Sequence, residues 1–175
     1  MSTNLHPGES TYFKTYNNVV DLLMCIGQSH NLINKTTNGD IYDIDLEKNT
    51  LFPLMHINPV NVQANQSSLV FNFQIFIADL VEPNFSNEQD VMSDTLNITL
   101  DIIAFLKHRT PTNQKFHIQK NASFNCEPFT ERFDNSLFGW VLDLSIMVEH
   151  DYSDCLNNFS FRDSNIPDST ENCMQ

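Results

Sequence analysis

Residues Phe138–Glu149 constrain the fold more tightly than any other stretch of this chain. Phe138, Trp140, Leu142, Leu144, Ile146 and Val148 alternate with Gly139, Val141, Asp143, Ser145, Met147 and Glu149. A strand sends successive side chains to opposite faces, so the even positions make one continuous apolar face. The odd positions make a partly wet one. On a helix the six large residues would be scattered around the circumference. Each of them contributes roughly 1.5–3 kcal/mol once buried, so the stretch is predicted to be a core strand around which the remaining elements pack.

A second core strand is predicted over Leu69–Val81, where Leu69, Phe71, Phe73, Ile75 and Ile77 share a face and Asn72, Gln74 and Phe76 share the other. With Val60–Ala64 it forms a hairpin around Asn65-Gln66-Ser67-Ser68. Leu51–Ile57 carries Pro53 inside an apolar run. Proline donates nothing to a ladder, so this run is predicted to be an edge strand or a protruding arm. Left exposed, such a run makes an apolar patch that soluble monomers rarely tolerate. Lys115–Cys126 alternates Phe116, Ile118, Ala122 and Phe124 with polar residues and is read as a further strand, and Asp134-Asn135 as the turn before the core strand. Ile41–Glu47 alternates as well. Its acids Asp43, Asp45 and Glu47 would stand nearly 7 Å apart on one strand face, too far apart to chelate a cation, so they are read as facing water.

Two helices are expected. In the first, from about Thr11 to His30, Tyr12, Tyr16, Val19, Leu23 and Ile26 fall on one face. Asn38-Gly39 is the turn signal beyond it. The second is announced by Ser86-Asn87-Glu88-Gln89, which has the form of a capping box. It ends near His108 because Pro111 cannot continue it. Met92, Leu96, Ile103 and Leu106 form one apolar stripe on it, and Val91, Ile98, Ile102 and Phe105 a second. Two stripes require two partners: the sheet, and either the first helix or a neighbouring subunit. The order of elements gives an α+β class, an antiparallel sheet of about five strands with two helices packed on one face. A flexible N-terminal arm (residues 1–10) and a polar C-terminal tail or docking arm (153–175) flank a single domain (11–152).

Twenty-two acidic residues against nine basic ones give a net charge of -13. Gripping nucleic-acid phosphates needs clustered Lys and Arg, so DNA or RNA binding by charge is excluded. Only 18% of residues are charged, which fits a surface covered by partners and equally fits a surface made polar by Asn, Ser, Thr and Gln. No apolar run approaches the ~20 residues needed to span a bilayer. Met1–Ser10 lacks the basic and apolar regions of a secretory leader. Cys25, Cys126, Cys155 and Cys173 form no C-x-x-C pair and are read as free thiols, with a Cys155–Cys173 bridge as the alternative.

Four glycines leave no phosphate cradle and no G-x-S-x-G elbow. Glu149-His150-Asp151, with Asp154 and Cys155, is the one ligand-rich cluster, and it lacks the paired spacing that zinc requires. His56 and His117 have no companion nucleophile or orienting acid and are read as surface or interface residues. The expectation is a protein without enzymatic activity, cofactor or metal.

Leu51–Val60 (L-F-P-L-M-H-I-N-P-V) and Phe129–Trp140 (F-T-E-R-F-D-N-S-L-F-G-W), in this order of elements, resemble the small neck and tail-completion proteins of tailed bacteriophages. The flavour is that of crAss-like and other Bacteroidetes phages, and the likeness covers roughly Tyr12 to Asp154. The resemblance implies a tail-terminator-like fold and a virion structural role, head–tail joining, in a ring of six or twelve copies. Such a ring meets portal, neck or tail proteins and lets genomic DNA pass without specific binding. It implies no membrane partner, and synthesis in the host bacterial cytoplasm before incorporation into the virion. The residues assigned to the assembly interface are Leu51, Phe52, Leu54 and Met55 of the apolar run and Phe159 and Phe161 of the tail. The alternative is a monomeric α+β ligand-binding or inhibitor-like module.

Overall fold

The structure, a computed structural model, describes residues 15–40, 51–108, 116–117, 124–132 and 136–150. Two helices, α1 (Thr15–Ser29) and α2 (Glu88–His108), accompany six strands. These are β1 (Lys35–Asn38), β2 (Leu54–Asn65), β3 (Ser68–Leu80), β4 (Phe116–His117), β5 (Asn125–Arg132) and β6 (Ser136–Glu149). The class is α+β, as expected. The flanking segments 1–10 and 153–175 lie outside the described residues, as do the acids of Ile41–Glu47.

β6 contains the alternating stretch, and it pairs with β3 in unbroken antiparallel register from Leu137↔Leu80 to Glu149↔Ser68. The strand order is β1-β2-β3-β6, with β5 and β4 sharing the far side of β6. β5 lies opposite Ser136–Asp143, and β4 opposite Met147 and Val148. Five positions across the sheet are thus filled by six strands. Every pairing is antiparallel except β1 with β2, which is parallel, so the sheet is mixed.

One face of the sheet carries both helices. Met55 and Ile57 of β2, Phe71, Phe73, Ile75 and Ile77 of β3, and Leu142, Leu144, Ile146 and Val148 of β6 form the floor of the core. Val19, Leu23 and Ile26 of α1 and Ile98, Ile102 and Leu106 of α2 cover it. Trp140 sits on the same face, and its indole N–H donates to the Met92 carbonyl of α2 at 2.9 Å. Thr95 and Thr99, fully buried in α2, return their hydroxyls to the Val91 and Thr95 carbonyls at 2.6 and 2.8 Å, so neither is left with an unmet donor.

The second helix departs from expectation at its start and in its stripes. Ser86 does not cap it, because its hydroxyl donates to the Glu82 carboxylate at 2.6 Å. Asn87 does the work instead: its carbonyl accepts the Val91 N–H at 3.0 Å and its side chain accepts the Glu82 N–H at 2.8 Å. Val91, Ile98, Ile102 and Leu106 are buried against the sheet together, while Phe105 is exposed. The two expected stripes are therefore one broad buried face with an exposed flank.

Candidate assembly surface

β2 differs from the edge strand expected of Leu51–Ile57. It runs through Pro59 as one twelve-residue strand. Its first four residues are interior to the sheet, between β1 and β3. Pro53 stands before the strand, after a cis peptide from Phe52. Pro59 sits at a bulge, where the register slips between Pro59 and Asn61, the kind of position where a missing N–H is tolerated.

Of the six residues assigned to an interface, two are corrected by burial within the chain itself. Leu54 is 1% and Met55 0% exposed. Met55 lies in the main core under α1, and Leu54 packs with Leu137, Phe52 and Phe129 on the opposite face. Phe52 is half-buried in that same cluster. Leu51, at 62%, is freely exposed. Phe159 and Phe161 lie outside the described residues.

The surface that pattern reading missed is the second half of β2. Residues 58–65 pair with β3 on one side, and among the described residues no strand lies on the other. The two-residue turn at Gln66-Ser67 makes Asn65 and Ser68 a hydrogen-bonded pair. Alternation along β3 then turns the backbone N–H and C=O of Val62 and Ala64 away from the sheet. The same count turns the Ile57 carbonyl outward, where it accepts the Gly39 N–H at 3.1 Å.

No residue from Asn49 to Ala78 is Asp, Glu, Lys or Arg. Val60 and Val62 are 52% and 50% exposed on this strand. An uncharged, half-apolar edge is a template for a further strand, and the bulge at Pro59 is the one feature here that blunts it. Elsewhere the chain is strongly acidic. Asp90, Asp94 and Asp101 fall along one side of α2 by helical spacing, and all three are exposed.

The sheet face away from the helices carries a polar ladder across four strands. Asn72 donates to Asn61 at 2.7 Å, and Ser145 donates to Asn72 at 2.6 Å. Gln74 and Asn125 donate to the two oxygens of Asp143 at 3.4 and 3.2 Å. The neighbouring thiol of Cys126 is pushed above its ordinary pKa by burial, and further by the Asp143 charge, which suppresses its thiolate.

His56, read from sequence as a surface residue, is buried on this face. Its Nδ1 lies 2.8 Å from the Thr37 hydroxyl and its Nε2 3.2 Å from the Gly39 carbonyl. The carbonyl can only accept, so Nε2 carries the proton and Nδ1 accepts from Thr37. The ring thus pins the end of β1 to β2. It is a structural residue.

Among the described residues no three His, Cys, Asp or Glu side chains gather as a metal site would require. No described helix is long and apolar enough to cross a membrane. Compared with protein-family models and with curated proteins, the chain matches none.

Proposed function

We propose that this chain is a virion structural protein, a ring-forming subunit in the neck or tail of a tailed bacteriophage that joins portal or head to tail. The observation that carries the reading is the second half of β2, which among the described residues has a strand on one side only. An acidic chain repels its own copies over most of its surface. The run 58–65 is where uncharged backbone, Val60 and Val62 let a neighbour approach at no Coulomb cost. Leu51 adds an exposed apolar residue just before the start of the same strand. The acidic side of α2 suits a channel through which DNA slides without adhering. The ring order of six or twelve and the place in the neck follow from the sequence resemblance.

The test is the mass of the full-length protein by light scattering, alone and mixed with portal and tail proteins from the same source. A ring of six or twelve copies, seen directly by electron microscopy, is the expected result. A monomer that associates with none of them overturns it.

The second reading, a monomeric ligand-binding module, is favoured by the Asn72–Asp143 ladder, whose amides and carboxylate would suit a polar, hydroxyl-rich ligand. Chemical-shift changes confined to Asn72, Asn125 and Asp143 on titration with oligosaccharides would select it.

A further inference from the structure

We infer that α2 pairs two copies of this chain. An outward seam of Gln89, Ser93, Leu96, Leu100, Ile103 and Lys107 packs antiparallel against the same seam of a second copy. The contact goes beyond the neck reading and does not depend on it, because a two-fold pair closes on itself.

The spacing comes first. These residues recur at alternating steps of four and three along α2, the repeat that keeps one stripe of a helix turned toward a partner helix. The sheet does not use that stripe. Val91, Thr95, Ile98, Thr99, Ile102 and Leu106 are the buried residues of α2, and the centre of the seam lies roughly 130° around the helix from theirs. Leu100 is 50% exposed. Gln89, Ser93 and Lys107 are exposed as well, while Leu96 and Ile103 are half-buried. α1 leaves the seam open, since it meets the opposite flank of α2, where His30 reaches Asp101 at 3.4 Å.

Charge is the second observation. Most of the surface of so acidic a chain repels a second copy, yet the seam carries no acid and one base, Lys107. Lys107 stands over the Phe124 ring at 5.2 Å, on the side of α2 away from the acids. Asp90, Asp94 and Asp101 lie about 100–140° around the helix from the seam's centre. Two copies that meet on the seam therefore keep those carboxylates out of the contact.

Self-complementarity is the third, and it selects a second copy as the occupant. A two-fold axis level with Ile98, midway along Glu88–His108, carries the seam onto itself. Leu96 then faces the second copy's Leu100, and the symmetry repeats that contact. Small Ser93 faces larger Ile103, and Gln89 faces Lys107. The first turn of α2 is acidic, with Glu88 and Asp90, and the last is basic, with Lys107 and His108. The antiparallel arrangement sets each acidic turn beside the other copy's basic turn and opposes the two helix dipoles. A parallel pair would set acid beside acid and base beside base.

The experiment is sedimentation equilibrium of the full-length protein over a concentration series. At the upper end the parent should weigh twice what its Leu100→Glu variant weighs, whether the unit that pairs is the 20.2 kDa chain or a ring of chains. Leu100→Glu should leave Tm unmoved, since the side chain it replaces is exposed. Lys107→Glu should also weaken the pair, by facing a carboxylate toward the second copy's Glu88 and Asp90. Adding Gln89→Lys to Lys107→Glu should restore it, which a purely structural role for Lys107 would not allow.

Equal masses for the parent and Leu100→Glu at every concentration overturn the inference. So does a Lys107→Glu defect that Gln89→Lys leaves unrepaired. Absence of a sixfold or twelvefold ring, with the pairing intact, counts against the neck reading and leaves the α2 contact standing.

Discussion

Leu144 shows how little freedom the core leaves to a single side chain. It pairs with Phe73 in the centre of the sheet and is 2% exposed. Leu144→Asp would place a charge there without a partner, at a cost of several kcal/mol against a total stability of about 5–15. Denaturant melts should find no cooperative transition in the variant.

Gly27 poses a closer contest. Gly27 lies in the last turn of α1, where alanine gains at most the about 1 kcal/mol of an interior helix position in propensity. The added Cβ, however, would stand 2.5 Å from the Thr36 hydroxyl and 2.7 Å from the Met55 sulfur. Thr36 is β-branched and Met55 is fully buried, so neither yields, and overpacking of about 1–3 kcal/mol wins. Gly27→Ala is expected to lower Tm despite its better helix propensity.

Asp79 is half-buried, and desolvation raises its pKa. Its bond to the Leu80 N–H lowers it and the Asp94 charge raises it further. The folded state therefore binds this proton more tightly than the unfolded state. The carboxylate is a cost above the raised value, and the cost is relieved as pH falls through that value toward the ordinary one. Asp79→Asn keeps an acceptor for the Leu80 N–H at 2.7 Å. It should melt higher than the parent at pH 7, with the gap closing in acid.

At the scale of elements, what was legible in the sequence followed burial. β3 and β6 bury one whole face, and alternation in the sequence marks both. β1, Lys35-Thr36-Thr37-Asn38, has no apolar residue to alternate. It is held by β2, by His56 and by contact with α1, none of which leaves a local pattern. Read from sequence, β2 divides into Leu51–Ile57, interrupted by Pro53, and Val60–Ala64. Pro53 precedes the strand, and Pro59 occupies a bulge on the side where, among the described residues, no strand lies to receive an N–H. The apolar run Leu51–Ile57 reads as exposed because Pro53 interrupts it, yet Leu54 and Met55 are buried, and among the described residues the backbone with no strand beside it lies beyond that run, at 58–65.

The start of α2 was read one residue early, since S-x-x-Q marks Ser86 while the geometry selects Asn87. Asn87→Ala should destabilise by about 1 kcal/mol. Ser86→Ala should stay within about 0.5 kcal/mol, and thermal melts of the pair would separate the two caps.

Over the whole molecule, assembly and stability are expected to separate. Leu51 and Val60 are exposed, so Leu51→Glu with Val60→Lys should leave Tm within the range of ordinary surface changes, about 0.5 kcal/mol. Light scattering should show the proposed ring weakened or lost. Phe52→Glu is a poorer probe, because Phe52 packs on Leu54 and Leu137 and its loss would lower stability as well. A double variant that assembles like the parent would remove β2 from the interface.

The placement of β6 has a consequence for how the chain is made. β3 occupies the middle of the sheet, yet its second partner is encoded far downstream, with Ser68 matched to Glu149 and Leu80 to Leu137. A ribosome adding roughly 5–20 residues per second needs several seconds to travel that distance. Throughout that interval a hairpin whose one formal charge is Asp79 waits with the β3 edge bare and β2 covered by β1 only over Leu54–Ile57, within reach of nascent chains on neighbouring ribosomes. Slowing translation between α2 and β6 should therefore lower the yield of soluble protein, and faster delivery of β6 should raise it.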